Sequence, residues 1–221
     1  MKSKLALIST GIGVVEPVMA IVRELSPETE VINILDDCIV RSIGANDNII
    51  PAWVFRRMST YMILAEEAGA DAALLTCSSI SEAVDVSRPL VRIPIFKIDE
   101  PMADKAVSMG NRIGVAATLR TTLDPTKRLV LSRAREAGKT VSIEESLSQG
   151  AFEALQRGDA SKHDEMVRKA VSELLHKCDV IVMAQASMAR AVQSLGEHQE
   201  RVLTSPRLGV AYVIDYLHRK R

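Results

Sequence analysis

Aromatic side chains are scarce in this sequence: one Trp, three Tyr and three Phe, 3% of 221 residues. So few rings leave stacking platforms for single-stranded nucleic acid poorly supplied. Charge of one sign is not in excess either, with 28 Lys+Arg against 28 Asp+Glu. Neither sign forms a run, which argues against nucleic-acid and membrane-surface partners. No apolar stretch approaches the roughly 20 residues needed to span a bilayer. The opening segment has the rough outline of a secretion signal, but Ser9-Thr10-Gly11 and Glu16-Pro17 interrupt it. A first strand and its loop is the better reading. The three cysteines, Cys38, Cys77 and Cys178, are odd in number and lack metal-ligand spacing. A disulfide framework is therefore not expected, and a reducing cytoplasm is the default setting. His163, His176, His198 and His218 are scattered and read as solvated side chains. With no Gly-rich nucleotide loop and no cluster of metal ligands, the residues imply neither metal nor cofactor.

What the chain has is a repeat. Asp71 to Val84 aligns without a gap to Asp179 to Val192, at a constant offset of 108 positions. The same offset lays Lys4 to Thr10 on Arg112 to Thr118. Nearly half the residues are apolar, enough for a substantial core. Short apolar runs alternate with amphipathic stretches, the pattern of parallel sheets flanked by helices. Strands are predicted at 5–9, 31–35, 72–75, 91–96, 112–116, 140–143 and 180–183. Helices are predicted at 16–25, with Pro17 in its first turn, and at 51–68, 79–86, 124–137, 164–176 with Ser161 as cap, and 187–195. The amphipathic piece 208–219 has no counterpart in the first half and is expected to return to the N-terminal lobe. The expected architecture is α/β: two similar lobes, each a parallel sheet flanked by helices, with an active-site cleft between them. Residues 1–98 plus 206–221 form the first lobe, and 99–205 the second, with Asp99-Glu100-Pro101 breaking the pattern at the junction.

Ligands of parallel sheets sit beyond the carboxyl ends of the strands. Standing there are Ser9, Thr10, Asp36, Asp37, Thr76, Cys77, Ser78, Ser79, Thr118, Thr121, Thr122, Gln185 and Ser187. The set is rich in hydroxyls and holds one thiol. Helix N-termini favour anions, so a small carboxylate is the natural guest, although each hydroxyl taken singly is also an ordinary helix cap. A cysteine at a helix start is expected to have a lowered pKa and to act as base or nucleophile. Cys38 and Cys178 read as small buried hydrophobes. Arg41, Asn46 and Asn48, in the loop 41–50, either reach the site or are solvated.

The strand leading into Thr76-Cys77-Ser78-Ser79, the loop Ala117-Thr118-Leu119-Arg120-Thr121-Thr122, and the strand 180–183 leading into Ala184-Gln185-Ala186-Ser187 resemble the aspartate/glutamate racemase superfamily. That group includes hydantoin racemases, maleate isomerase and arylmalonate decarboxylase. Ile34-Leu35-Asp36-Asp37 is similar to its small amino-acid and hydantoin racemase branch. The resemblance extends over essentially the whole chain. It implies cofactor-independent chemistry and a homo-oligomer. Racemases of the group carry one cysteine on each equivalent strand end, one thiolate taking a proton and the other thiol delivering one. Carried over, the first position is Cys77 and the second falls on Gln185, which is neither acid nor base near neutral pH.

The leading expectation is therefore an isomerase acting on a small carboxylate through Cys77. Ser9, Thr10, Thr76, Ser78, Ser79, Thr118, Thr121, Thr122, Gln185 and Ser187 are the candidates for holding carboxylate and enolate oxygens. Alternatives are a decarboxylase of a malonate-like acid, a non-catalytic carboxylate-binding protein, and an unrelated two-lobe sugar- or amino-acid-binding domain.

Overall fold

A computed structural model of the chain describes residues 2–44, 49–192 and 196–220. The chain divides into two compact units, 1–98 with 206–221, and 99–205. No helix among the described residues is long and apolar enough to cross a membrane.

The first unit runs β1 (Lys4–Ser9), α1 (Ile12–Leu25), β2 (Glu30–Leu35), α2 (Cys38–Gly44), α3 (Ala52–Glu67), β3 (Ala72–Leu75), a 3-10 turn (Ser78–Ile80), α4 (Glu82–Ser87) and β4 (Ile95–Lys97). Its sheet is parallel, in the order β2-β1-β3-β4. Strand side chains alternate between faces. Leu5, Leu7, Ala72 and Leu74 face Val18 and Val22 of α1 and Val210, Val213, Ile214 and Leu217 of the C-terminal helix, Ser205–Arg219. Ala6, Ile8, Ala73 and Leu75 face Ile39 of α2, Met58 and Met62 of α3 and Val84 of α4. Both faces are covered, which is why the central strands read as unbroken apolar runs. The C-terminal helix closes one face because Gly209 lets it approach: a Cβ there would stand 2.3 Å from the Ile98 carbonyl oxygen. Phe96 packs on Tyr216 with ring centroids 5.3 Å apart.

The second unit repeats this plan: α5 (Glu100–Met109), β5 (Arg112–Ala117), α6 (Arg120–Glu136), β6 (Ser142–Leu147), α7 (Ala151–Gln156), α8 (Ala160–Leu175), β7 (Val180–Met183), 3-10 segments Ala186–Val192 and Gly196–Arg201, and β8 (Val202–Thr204). Its parallel sheet has the order β6-β5-β7-β8. The two central ladders share one register: Leu5 pairs with Ala72 and Ile113 with Val180, each 108 positions on. The strand starts match too. Asp71 accepts from the Lys4 N–H, and Asp179 from the Arg112 N–H, both at 2.8 Å. Helices α3 and α8 are also offset by 108 residues at both ends.

Several elements differ from the sequence expectation. Helix α1 starts at Ile12, so Pro17 is interior rather than in the first turn. The carbonyl it leaves unpaired is that of Gly13, an exposed residue. The strand expected at 91–96 shrinks to Ile95–Lys97, because the N–H groups of Arg92 and Ile93 donate to Glu66 Oε1 instead of a ladder. Strand β6 begins at Ser142 and runs to Leu147, four residues past the expected end, through the polar Glu144-Glu145-Ser146. As an edge strand it needs only one apolar partner. Helix α6 starts at Arg120, four residues earlier than expected. Helix α8 is capped by Asp159, which accepts from the Lys162 N–H at 3.0 Å, and Ser161 lies inside it. The segment after β7 is a 3-10 helix, and the expected end of that helix at 193–195 lies outside the described residues. Asp99-Glu100-Pro101 opens α5, with Pro in the first turn where it is tolerated. Helices α2, α5 and α7 and strand β8 carried no sequence expectation.

Candidate functional site

In the first unit the parallel strands deliver Ser9-Thr10, Asp36 and Thr76-Cys77 to one end of the sheet. The N–H of Thr76 extends the ladder to Ile8 O (3.0 Å) and that of Asp36 to Ser9 O (2.9 Å). Ser9 Oγ and Thr76 Oγ1 hydrogen-bond at 2.9 Å, both buried. Cys77, half-buried, is next, with extended backbone (φ −118°, ψ 109°) ahead of the Ser78–Ile80 turn. Burial pushes the Cys77 thiol up; a hydrogen bond from the Thr10 hydroxyl opposes this most, followed by the N–H groups of Ser79 and Ile80 and the Ser79 side chain. The net direction is upward, which corrects the expectation of a lowered thiol. The physical reason is local. Cys77 precedes a three-residue 3-10 turn, not a long helix, so little dipole stands behind the sulfur while its desolvation is large. Cys77 thus rests as a thiol near neutral pH.

Asp36, 9% exposed, lies at the end of β2. Burial alone would raise its carboxyl, but hydrogen bonds from Tyr61 Oη (2.7 Å), Arg57 (3.0 Å) and the Cys38 N–H (3.1 Å) outweigh it, and the net shift is downward. Tyr61 is pushed up to about 12 by its own burial and the Asp36 carboxylate. Arg57 also lies 4.7 Å over the Trp53 ring. The Asp36-Asp37 dipeptide was the sequence signal for this knot; Tyr61 and Arg57, 25 and 21 residues away on α3, gave none. Arg41 is occupied by an ion pair with Asp37 and is 79% exposed, while Asn46 and Asn48 lie outside the described residues.

The second unit places Thr118 and Gln185 at the equivalent strand ends. Gln185 Oε1 accepts from the Thr118 N–H at 2.7 Å and from Thr118 Oγ1 at 3.0 Å. The Thr at the equivalent strand end acts on the residue after the central strand in both units: Thr118 hydrogen-bonds Gln185, and the Thr10 hydroxyl is the first of the groups that counter the burial of the Cys77 thiol. Thr122 is spoken for locally, its hydroxyl donating to Leu119 O at 2.9 Å as a helix-start bond. Ser78, Thr121 and Ser187 are half-buried near the strand ends.

Two other sequence readings need correction. His163 is not solvated; it is fully buried, with Nδ1 2.8 Å from Asp164 Oδ1. Arg190 grips the same carboxylate through two hydrogen bonds, 2.7 and 3.0 Å. Cys38 is exposed, whereas Cys178 is buried. Among the described residues no group of three or more His, Cys, Asp or Glu is arranged to hold a metal ion.

The fold has counterparts among known proteins. The fold matches allantoin racemase from Klebsiella pneumoniae, with TM-score 0.68 at 17% identity, over 99% of this chain and 89% of that one. Glutamate racemase from Bacillus anthracis matches with TM-score 0.72 at 15% identity, covering 99% and 82%. An aspartate racemase homologue from Pyrococcus horikoshii gives 0.70 at 14%, covering 99% and 100%. At such identities the likeness establishes the fold. No curated protein sequence matches the chain significantly. The sequence profile of Asp/Glu/hydantoin racemases matches residues 9–213, which takes in every strand end described above. The chain therefore belongs to the Asp/Glu/hydantoin racemase family.

Proposed function

We propose that the protein is an isomerase of this family that acts on a small carboxylic acid with one thiol, Cys77, and no second one. The observation that carries the proposal is the equivalence of the two central strand ends, which share one register 108 residues apart and lead into a thiol, Cys77, in one unit and an amide, Gln185, in the other. In the forward step Cys77, as thiolate, takes the proton from the carbon beside the carboxylate. The C–H electron pair passes into the carboxyl group, leaving an enolate and a neutral thiol. With an unsaturated acid the thiol then returns the proton to the far end of the delocalised enolate, which shifts the double bond and regenerates the thiolate, so atoms and charge balance; with a saturated acid the proton goes back to the same face and the configuration is kept. Ser78 and Ser79, half-buried beside Cys77, supply donors for carboxylate and enolate oxygens, whereas Ser9 and Thr76 spend their hydroxyl protons on each other and on the Ile8 carbonyl. No cofactor enters the step. All three cysteines are free, in keeping with a reducing cytoplasmic setting.

The upward push on Cys77 favours a second reading, a decarboxylase of a malonate-like acid. There the C–C bond breaks, carbon dioxide leaves, and the neutral thiol protonates the resulting enolate; solvent then reprotonates sulfur.

The test is incubation in D₂O with amino acids, hydroxy acids, hydantoins, maleate and aryl malonates, followed by NMR and chiral analysis. A single thiol gives one-sided chemistry: deuterium uptake with retained configuration, isomerisation of a double bond, or decarboxylation to one enantiomer. Cys77→Ser abolishes it. Rapid two-way racemisation would mean that a second base exists, and binding without any turnover would move the protein to the carboxylate-binding class.

A further inference from the structure

Gln185 is usually silent about which way its amide points, since O and N look alike. Here the neighbours decide. A backbone N–H can only donate, so the atom 2.7 Å from the Thr118 nitrogen is the oxygen. The Thr118 hydroxyl occupies the same oxygen at 3.0 Å. Both partners sit on a residue only 3% exposed, so the orientation is rigid. The segment behind Gln185 is also fastened. Its carbonyl accepts from the Met188 N–H (3.1 Å), and Arg190 is clamped to Asp164 on α8. What remains is Nε2, whose two N–H donors take no partner among the described residues.

We infer that Gln185 is a binding residue that presents a neutral double donor to an oxygen of a small carboxylate. An ammonium group finds no acceptor on the Gln185 side chain, because both lone pairs of its oxygen are taken by Thr118. This rests on the carboxylic-acid reading above and adds the polarity that its second strand end demands of the ligand. It also gives the Thr118–Gln185 pair a purpose distinct from proton transfer.

The experiment is NMR of the ¹⁵N-labelled full chain, following the Gln185 side-chain NH₂ pair while sodium propionate is added. Sodium chloride at matched ionic strength and isopropylammonium chloride serve as controls. The pair shifts saturably with propionate and with neither control. Gln185→Glu sharpens the test, since its carboxylate still accepts both Thr118 bonds while the donor is replaced by a negative charge, and Gln185→Met, which removes the donor without adding charge, separates the lost hydrogen bond from repulsion. A donor to a charged acceptor is worth about 10- to 100-fold in affinity, so propionate binding to Q185M weakens by that factor and to Q185E by at least as much. A Gln185 pair that stays still while the amides of residues 76–79 respond overturns the inference and leaves the carboxylic-acid reading standing. Binding to either variant within about twofold of the parent also overturns it. A responding Gln185 in a protein that turns over none of the candidate acids sinks the isomerase reading and keeps this one.

Discussion

Thr10→Val isolates the one hydroxyl that most opposes the burial of Cys77. Valine keeps the shape of threonine at a site 2% exposed, so packing is preserved and only the donor to sulfur goes. A hydrogen bond to a charged partner contributes about 1.5–3 kcal/mol, and the two remaining N–H donors of Ser79 and Ile80 soften the loss. Taking about 1.4 kcal/mol, the thiolate fraction at a fixed pH below the midpoint falls about tenfold. Alkylation slows less, because a more basic thiolate is a better nucleophile. With a Brønsted slope near 0.4–0.5 the net rate falls only about three- to fourfold. The pair of readouts is what makes the test strict. Ultraviolet thiolate absorbance across pH gives the fraction, and iodoacetamide labelling with peptide mass mapping gives the rate at Cys77 separately from Cys38 and Cys178. The parent Cys77 should already label more slowly than exposed Cys38. An unchanged or increased thiolate fraction in T10V would mean that Thr10 does not stabilise the sulfur, and the paired-threonine account of the two units would fall with it.

Asp36→Asn removes a carboxylate whose pKa lies below its ordinary value in the fold. Such a group adds stability above the unfolded pKa of about 4 and loses it as pH falls through the lower folded value. The variant should be about 2 kcal/mol less stable at neutral pH, with a flatter acid limb in urea melts; an unaltered acid limb would refute the Tyr61–Arg57 account. Gly209→Ala drives a Cβ to 2.3 Å from the Ile98 carbonyl, a backbone contact that cannot rotate away. A loss of about 1–3 kcal/mol is expected, read as a lower thermal midpoint, and a midpoint equal to the parent's would show that the C-terminal helix can slide.

Linear pattern was enough to establish the repeat, since a constant offset and the alternation of apolar runs are properties of the chain itself. It located β1, β3, β5 and β7 to within a residue because these central strands are covered on both faces and read as unbroken apolar stretches. It also showed that position 185 carries an amide where position 77 carries a thiol. Edge elements were less legible. Strand β6 is polar on its outer side, and Arg92 and Ile93 look like strand but give their N–H groups to Glu66. What only the tertiary structure decided is the chemistry at the strand ends. Ser9 meets Thr76, and Thr118 meets Gln185, across 67 residues in each case, and no local propensity encodes such pairings. The direction of the Cys77 shift, the orientation of the Gln185 amide and the burial of His163 all follow from what surrounds each group. Desolvation and hydrogen-bond partners belong to the folded neighbourhood, so a residue's type announces that it can carry chemistry, and its neighbours determine which.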